Sequence, residues 1–530
     1  MAAAVAVAVA VVVPGLWRVS GPPMEEGFML VYPERLLAGD LPNADFVHIY
    51  GPVSIQVLAG WYAVVGESLS AERVFGIAQH LALVAALVVL ARPWGRLAAG
   101  GVGLVAVVLA VTPIGATALA WNGGLALALW AVVTGLRARA VGDPARAGRW
   151  WFATGAFAGL ALGYRPDLVL AIGLAVGWLA WRRADWRRLA VGGAVGLVPV
   201  AVHVALVGLG PAWDGMVVDP VVRLRGGRDL PRPPSWDRLD GFLQRVAELD
   251  PPMWPLPSPS PSQSLFLWFF LLLAATAGVV VAGVVAVRRR GDDGPAAVLL
   301  AGALVGVGIL PQALQRADST HLAWVSVVVL PLVVLALVEH APRSWLGSTR
   351  ARTAAALGVV ALVLVAVVAP FTLRPYLHLV RVGTGFEAAA PVVSRGDREF
   401  RVGSAEVAAE LAPVVAELDR VATPGDRLLV APSDMTRPVY VDTWLYHLFA
   451  DLEPATRFLQ LDPGVVDGER WSADLAGADW VLLTGFWDGW SEPNRSVDPI
   501  ETDALAVLAQ RFCPVLTSPA GQVELLQRCR

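Results

Sequence analysis

Long apolar runs alternate with short polar segments from the N-terminus to about residue 370. Runs of this length and composition predict helices that cross a membrane. We place about 11 spans, at residues 2–17, 71–91, 97–112, 121–136, 151–163, 167–181, 189–208, 264–287, 295–310, 321–339 and 353–370. The spans at 151–163 and 167–181 are short, so a re-entrant hairpin is an open alternative for that pair. The fold class is mainly α, a polytopic transmembrane helical bundle.

The pattern changes after the last span. From about Ser404, amphipathic helical segments alternate with short apolar segments typical of strands, as in "DRLLVAPSD" and "ADWVLLTG". This alternation predicts a small α/β domain with a parallel core and a terminal hairpin. We divide the chain into a transmembrane domain, 1–374, with large loops at 18–70 and 209–263, and a C-terminal α/β domain, 375–530.

Composition supports a membrane protein. The 530 residues are 56% hydrophobic and 16% charged, with a mean hydropathy of +0.60, which is far more apolar than a soluble protein of this size. The formal net charge of -3 gives no reason to expect a nucleic-acid partner. The sequence contains no lysine, so every fixed cation is an arginine, a side chain suited to bidentate phosphate binding.

Arginines in the connecting loops predict the orientation. Alternate loops are basic, and short arginine-rich loops stay in the cytoplasm. This places the N-terminus inside, and the loops 18–70 and 209–263 and the whole C-terminal domain outside. We favour an uncleaved first helix over a removed signal peptide, because no basic residue precedes the first run and no clear cleavage site follows it. The basic loops contain Arg92 and Arg96; Arg137, Arg139, Arg146 and Arg149; Arg182, Arg183, Arg187 and Arg188; Arg288, Arg289 and Arg290; and Arg343, Arg350 and Arg352.

The first outer loop carries two adjacent carboxylates. The stretch "PPMEEGFMLVYPERLLAGD" predicts a short amphipathic helix lying on the membrane, with Pro22 and Pro23 at its start and Gly39 after its end. Glu25 and Glu26 fall in its first turn. Acidic residues there are favoured by the helix macrodipole alone, by about 0.3 to 1 kcal/mol, so a purely structural role is an open alternative.

The order of elements resembles the GT-C superfamily of membrane glycosyltransferases, most closely the branch of aminoarabinose and protein O-mannosyl transferases. A first span is followed by an acidic pair, a surface helix ending in "GD", the turn "HIYGP", a second surface helix ending in "VVGES", and an arginine at the next span. The resemblance implies that one member of the pair is a catalytic base. It also implies an inverting transfer of a sugar from a polyprenyl-phosphate donor to an envelope glycan, lipid or protein acceptor. Which glutamate acts is undecided. The matching residues are Glu25, Glu26, Gly39, Asp40, Pro52, Gly66 and Arg73.

Two positions depart from this pattern. His48 stands where the aminoarabinose transferases have a lysine, and we count His48 and Tyr50 of the same turn among the candidate substrate contacts. Asn122 stands in the second outer loop where many relatives carry an aspartate. Either one acidic site suffices, or another carboxylate substitutes, or the activity has been lost. No cofactor is certain, and a divalent cation is the one candidate.

Two outward turns carry charged residues beside apolar helices. "GYRPDLVL" contains Arg165 and Asp167, which could bind a phosphate or could form a salt bridge that shapes the turn. "LPQALQRADSTHLAW" contains Arg316, Asp318 and His321, which could line a site or form a solvated loop.

The loop 209–263 contains a basic patch and a Pro/Ser-rich run. Arg223, Arg225 and Arg228 suit a lipid phosphate or anionic headgroups in general. The run from 250 to 264 is expected to be an extended linker or lid. A departing polyprenyl phosphate needs its negative charge stabilised, so we expect at least one of these arginines, Arg165 or Arg316 to face the acidic pair.

The C-terminal domain contains both cysteines. Cys513 and Cys529 flank the predicted hairpin, and an outside location permits a disulfide between them, with two reduced thiols as the alternative. "GFWDGWSEPNRS" places Trp487 and Trp490 near acidic residues, a composition suited to sugar stacking or to a buried aromatic cluster.

The leading functional hypothesis is a glycosyltransferase acting at the outer face of the cytoplasmic membrane. A non-catalytic relative that exports, flips or scaffolds envelope glycan is the first alternative, because of Asn122. A transporter is the second, although its charged residues would lie at the membrane midplane and those of this chain lie at span ends. The sequence shows no nucleotide-phosphate loop and no zinc-ligand spacing.

Overall fold

The structure is a computed structural model that describes residues 2–529 apart from Arg182, 246–258, Arg343, 345 and 346. Two of the arginines in the predicted cytoplasmic loops and residues 250–258 of the Pro/Ser-rich run therefore lie outside the described residues.

The transmembrane domain is helical at every one of the predicted apolar runs. Two of its longer helices begin at N-cap residues that the sequence supplies. Asp143 caps the start of α7, and Ser260 caps the start of α14, where it forms a capping box with Gln263. The helices are α1 Ala2–Arg18, α2 Pro23–Ala38, α3 Val53–Val65, α4 Leu69–Ala91, α5 Arg96–Val111, α6 Ala120–Ala140, α7 Pro144–Tyr164, α8 Val169–Ala180, α9 Trp186–Gly196, α10 Val198–Val207, α11 Leu209–Trp213, α12 Arg225–Arg228, α13 Phe242–Arg245, α14 Pro261–Arg290, α15 Gly294–Gln315, α16 Ser319–His340, α17 Thr349–Ala366 and α18 Leu373–Thr384. A π-helix, Asp214–Arg223, joins α11 to α12.

Five of the described helices, α4 and α14 to α17, are long and apolar enough to cross a membrane by length and composition. The number rises to seven if each of two bent pairs, α1 with α2 and α9 with α10, is one span. The prediction of about 11 is higher because it also counts shorter apolar helices such as α5 and α8. It counts α6 and α7 as well, each of 21 residues, with arginines in the last turns of α6 and the first turns of α7.

The hairpin alternative concerned α7 and α8. Helix α7 has 21 residues, about 31 Å at 1.5 Å per residue, which matches the hydrocarbon thickness of a bilayer. It begins at Pro144, before the apolar run, so the run at 151–163 underestimated it. A single 3-10 turn, Pro166–Leu168, then leads into the shorter α8. Helix α7 is therefore long enough to cross a bilayer, but its first turns carry Arg146 and Arg149 and it is not among the helices that are also apolar enough.

Helix α2 was predicted to lie on the membrane surface, and this placement is wrong. The chain bends by 82° between α1 and α2, and all nine residues from Glu26 to Glu34 are buried. One side of α2 packs on the bundle, where the Tyr62 hydroxyl donates to the carbonyl of Met29. The other side packs on the C-terminal domain, where a Cβ on Gly27 would lie 2.7 Å from the backbone nitrogen of Trp444. The apolar residues of α2 therefore contact protein on both sides.

The C-terminal domain has the predicted α/β organisation. Its five-stranded sheet has the order β4-β3-β5-β7-β6, in which β4, β3 and β5 are parallel and the terminal hairpin β6–β7 is antiparallel. Cys513 and Cys529 form a disulfide beside this hairpin. The elements are β1 Val392–Arg395, β2 Arg398–Arg401, α19 Ala405–Val421, β3 Arg427–Pro432, α20 Trp444–Leu448, β4 Glu453–Pro454, α21 Gly468–Ala476, β5 Trp480–Thr484, α22 Ala504–Arg511, β6 Phe512–Thr517 and β7 Val523–Arg528.

Helix α18 lies at the junction of the two predicted domains. It packs along α1, where the Tyr376 hydroxyl donates to the carbonyl of Ala8 at 2.8 Å. A Cβ on Gly15 of α1 would lie 1.9 Å from the carbonyl oxygen of Leu379, so glycine permits this close approach. The antiparallel hairpin β1–β2, which was not predicted, follows α18.

Candidate functional site

The two glutamates of the acidic pair have different environments. The Glu26 carboxylate receives two hydrogen bonds from Arg73 of α4, at 2.7 and 2.9 Å, and both side chains are buried. The remaining guanidinium nitrogen of Arg73 donates to carbonyl groups at the C-terminal end of α1, including that of Leu16 at 3.0 Å. A Cβ on Gly21 would lie 2.3 Å from the Glu26 carboxylate. Glu26 therefore links α2 to α4 directly and to α1 through Arg73, and each of its carboxylate oxygens already accepts a hydrogen bond.

The Glu25 carboxylate makes no ion pair with any described residue. Its electrostatic neighbours are Asp462 of the C-terminal domain and Arg316 and Asp318 of the loop between α15 and α16. Burial raises the pKa of Glu25 to about 7; the residue's own backbone N–H and Arg316 oppose this shift, and the two aspartates add to it. A partly accessible carboxylate with such a pKa can exchange a proton near neutral pH.

Arg316 is held at three points. It donates to Glu492 of the C-terminal domain at 2.6 Å, to Asp318 at 3.2 Å and to the carbonyl of Arg228 at 2.9 Å. Arg316 is 9% exposed, and both acids are buried. Its charge is therefore already compensated, and it ties the loop 209–245, the α15–α16 turn and the C-terminal domain together.

Asp318 and His321 form a pair at the start of α16. Asp318 caps the helix through the backbone N–H of His321, and the Nδ1 of His321 lies 2.9 Å from the same carboxylate. If Nδ1 carries the proton, Nε2 is free to accept a hydrogen bond. The imidazole packs edge-on against Trp324, with 4.7 Å between ring centroids.

Arg165 and Asp167 form the salt bridge that was one of the two alternatives. The guanidinium donates to both carboxylate oxygens, at 2.9 and 2.6 Å, and the amide of Gln312 donates to Asp167 at 2.5 Å. The same guanidinium lies over the ring of Tyr50 at 4.5 Å and over that of Trp121 at 5.2 Å. Arg165 is thus fixed by its neighbours with an aromatic face on either side.

Of the basic patch in the loop 209–263, only Arg228 reaches this region. Its guanidinium lies 3.6 Å from Asp462, and both it and the guanidinium of Arg165 lie near Tyr50. Arg223 is exposed and paired with Asp219 four residues before it, and Arg225 is exposed. The structure does not bring Arg223 and Arg225 to the site, because the π-helix and α12 direct them to solvent.

His48, one of the candidate substrate contacts, is not a cation. It is fully buried, and burial lowers its pKa to about 3, so the ring is neutral. Its Nε2 lies 3.4 Å from the carbonyl of Gly51, and its own carbonyl accepts from Asn43 at 2.7 Å. The positive charges near Tyr50 are those of Arg165 and Arg228.

We call the residues that converge here the outer cluster. They include Trp121 and Trp324, whose rings are stacked with 5.1 Å between their centroids. Both indole N–H groups, and the side-chain N–H₂ of Asn122, have no hydrogen-bond partner among the described residues. Within the described chain, no group of three or more His, Cys, Asp or Glu residues could hold a metal ion. The outer cluster comprises Glu25, Tyr50, Trp121, Arg165, Arg228, Arg316, Asp318, His321, Trp324 and Asp462.

The structure thus brings together Glu25, Tyr50, Arg165, Asp167, Arg316, Asp318 and His321 from the predicted candidates. It adds residues that the sequence did not single out. The two tryptophans lie inside apolar runs that predict only core positions, and no local pattern marks Asp462 as a site residue. An arginine at position 73 was part of the recognised motif, but its pairing with Glu26 could not be read from the spacing.

Comparison with solved structures identifies the fold. The structure of ArnT from Cupriavidus metallidurans bound to undecaprenyl phosphate matches with a TM-score of 0.57, covering 99% of this chain and 97% of that one at 16% identity. The apo structure of the same protein matches with a TM-score of 0.55 at 16% identity and the same coverage. The oligosaccharyltransferase of Archaeoglobus fulgidus in its apo form gives a TM-score of 0.46 at 12% identity, covering 98% of this chain and 74% of that one. No protein-family profile matches the sequence, and no curated protein does. The fold that the resemblance implies is confirmed: the structure shares the fold of ArnT over 99% of this chain.

Proposed function

We propose that the protein is an inverting glycosyltransferase that moves a sugar from a polyprenyl-phosphate donor to an acceptor hydroxyl at the outer face of the cytoplasmic membrane. One observation carries the proposal. In a chain with the fold of ArnT, Glu26 forms an ion pair with Arg73. Its neighbour Glu25 has no ion-pair partner among the described residues and lies near the arginines and aspartates of the outer cluster.

Glu25 has the role of general base in this proposal. The acceptor hydroxyl gives its proton to the Glu25 carboxylate as its oxygen bonds to the anomeric carbon, and the bond from that carbon to the phosphate oxygen breaks. A positioned base of this kind typically contributes about 10² to 10⁴-fold in rate. The products are the glycosylated acceptor, a protonated Glu25 and the free polyprenyl phosphate, so the reaction balances without a cofactor.

The departing phosphate needs positive charge on the side of the sugar away from Glu25. Arg165 and Arg228, which each face one carboxylate, Asp167 and Asp462, supply it beside Tyr50, while Arg316 is compensated by two, Glu492 and Asp318. The unpartnered indole N–H groups of Trp121 and Trp324 suit a ligand rich in hydrogen-bond acceptors. A phosphate between these donors would leave the sugar over the aromatic rings and its anomeric carbon toward Glu25.

The membrane orientation and the acceptor belong to the same proposal. The N-terminus is cytoplasmic, and the outer cluster and the C-terminal domain are extracytoplasmic, as the loop arginines predict. The donor's lipid tail enters from the bilayer, and an envelope glycan, lipid or protein reaches Glu25 from the aqueous side. Asn122 removes one acidic group of the relatives, but Glu25 remains in place, which favours an enzyme over a non-catalytic relative.

The test is transfer by the purified protein in nanodiscs. Isotope-labelled polyprenyl-phosphate sugars extracted from membranes of the source cells are supplied with an envelope acceptor fraction, and nucleotide sugars are supplied in a parallel reaction. We expect label in the acceptor fraction and release of polyprenyl phosphate from the lipid-linked donors alone. Glu453→Gln, an exposed surface change, should leave the rate unchanged. Transfer from nucleotide sugars, or none from any lipid-linked donor, would contradict the proposal.

A further inference from the structure

A segment of the C-terminal domain, Arg457–Asp462, lies against the first outer loop. The backbone N–H of Val47 donates to the carbonyl of Arg457 at 2.9 Å, which joins the loop to the segment directly. Further along, the Tyr32 hydroxyl of α2 donates to the side-chain oxygen of Gln460 at 3.2 Å. Both contacts bridge more than 400 residues of sequence, so the fold specifically brings this segment to α2.

Asp462 ends the segment and is buried, with 5% of its surface exposed. One of its oxygens accepts a hydrogen bond from Gln460 at 2.5 Å. The other lies 3.6 Å from a guanidinium nitrogen of Arg228, which is ion-pair contact but longer than a hydrogen bond. An ionised carboxylate has about four acceptor sites, so Asp462 retains capacity for a further donor.

The geometry of α2 directs Glu25 toward the same segment. Glu25 and Tyr32 are seven residues apart, about two helical turns, and so lie on one face of the helix. Tyr32 contacts Gln460, and Asp462 is the charged neighbour with the largest effect on Glu25. The two carboxylates therefore face each other across the boundary between α2 and the C-terminal domain.

We propose that Asp462 is a positioning residue of the active site, a second carboxylate that the C-terminal domain places opposite the Glu25 base so that an acceptor alcohol is held between them. The inference deepens the proposed function and rests on it for the role of Glu25. It gives the C-terminal domain a part in the reaction itself, since the site is incomplete without Asp462.

Two physical effects follow from this arrangement. A second negative charge favours the protonated form of Glu25 and so makes the carboxylate a stronger base. The free acceptor capacity of Asp462 also orients the incoming alcohol. The other groups around Glu25 act as a fixed background: Arg316 and Asp318 on the α15–α16 loop, Tyr440 on the C-terminal domain, and Glu26, which Arg73 neutralises.

The test compares the pH profile of kcat/KM for the wild type, Asp462→Asn and Asp462→Glu. We expect Asp462→Asn to move the acid midpoint down by about one pH unit and to raise the KM for the acceptor about tenfold, while Asp462→Glu restores most of both. Asp474→Asn changes a buried aspartate of the same domain that bonds Thr456, and it should leave the midpoint where it is. An unchanged midpoint in a folded Asp462→Asn protein overturns the inference.

A second measurement does not depend on transfer. Infrared difference spectra between the wild type and Glu25→Gln isolate the carboxyl band of Glu25, whose titration can be followed without substrate. Removing the charge at 462 should lower the midpoint of this band, and Arg228→Gln, which removes the cation beside Asp462, should raise it. If both variants titrate like the wild type, the inference is wrong.

The two proposals fail in different ways. If Glu25→Gln transfers sugar at the wild-type rate, the role of Glu25 as the base is wrong, and the infrared titration still decides whether Asp462 acts on Glu25. If Glu25→Gln is inactive and the charge at 462 has no effect on either midpoint, Glu25 is the base and only the inference about Asp462 fails.

Discussion

At the residue scale, two adjacent glutamates of α2 have different partners because their side chains point in different directions. Residues next to each other on a helix point about 100° apart, so Glu26 meets Arg73 of the bundle while Glu25 faces the outer cluster. The sequence placed both carboxylates in one helical turn but could not separate them, because the partner of Glu26 is 47 positions away.

The raised pKa of Glu25 predicts the pH dependence of the reaction. The base must be ionised to accept a proton, and burial raises its pKa to about 7. We therefore expect kcat/KM to rise with pH with a slope of one below about 7 and to level off above it. A midpoint near 4.5, the ordinary value for a glutamate, would show that Glu25 is not the titrating group.

The arginines of the outer cluster predict which changes weaken donor binding. Arg165→Gln removes a cation fixed against Tyr50 and Trp121, and we expect the affinity for undecaprenyl phosphate to fall by about 10 to 100-fold. Arg223→Gln, at an exposed residue paired with Asp219, is the matched control and should change the affinity less than twofold. Native mass spectrometry in nanodiscs measures both. Equal losses from the two changes would locate the phosphate elsewhere.

At the element scale, the site depends on a close contact between the "HIYGP" turn and the end of α7. The backbone N–H of Gly51 donates to the carbonyl of Tyr164 at 3.1 Å, which fixes Tyr50 beside Arg165. A Cβ on Gly51 would lie 1.9 Å from the carbonyl oxygen of Gly163. The "YGP" motif is thus explained by a backbone approach that only glycine allows.

Replacing Gly51 should therefore damage both stability and the site. We expect Gly51→Ala to lower the free energy of unfolding by about 1 to 3 kcal/mol and to weaken donor binding, because the turn must move away from α7. Gly60→Ala lies on α3 with no atom within 4 Å of its Cβ and should be neutral or slightly stabilising, by up to about 1 kcal/mol. Thermal unfolding in detergent compares the two. A neutral Gly51→Ala would contradict the described contact.

Elements that a local pattern defines could be predicted from the sequence. The placement of elements that depends on distant contacts could not be predicted. Apolar runs predicted the helices of the bundle, and alternation predicted the parallel core and terminal hairpin of the C-terminal domain. The burial of α2 was missed because its second partner, Trp444, is more than 400 residues away. The hairpin β1–β2 was missed because its strands have four residues each and are mostly polar.

At the scale of the whole molecule, the outer cluster is built from four separate parts of the chain. Glu25 comes from the loop 18–70, Arg165 and Arg316 from the ends of bundle helices, Arg228 from the loop 209–245, and Asp462 from the C-terminal domain. The sequence predicted that the loops and the C-terminal domain share one side of the membrane, and this is the condition for such a site. It could not predict which arginine of the basic patch points inward, since Arg223, Arg225 and Arg228 differ only in tertiary contacts.

The orientation across the membrane remains a prediction, and a labelling experiment tests it. Both native cysteines are in the disulfide, so an introduced thiol would be the reactive one. With a membrane-impermeant maleimide on intact cells, we expect Glu453→Cys on the C-terminal domain to be labelled. Asp143→Cys, in the exposed loop between α6 and α7, should be labelled only after permeabilisation. The reverse pattern would place the outer cluster in the cytoplasm and remove the basis for a lipid-linked donor.

The most direct measurement is the single-turnover rate of sugar transfer from the lipid-linked donor for Glu25→Gln and Glu26→Gln in nanodiscs. We predict that Glu25→Gln folds normally and slows transfer by about 10² to 10⁴-fold. Glu26→Gln breaks the buried pair with Arg73 and should cost about 3 to 5 kcal/mol of stability, while its folded fraction still transfers sugar. A Glu25→Gln protein that transfers at the wild-type rate, or a folded Glu26→Gln protein that alone has lost transfer, would contradict the assignment of Glu25 as the base.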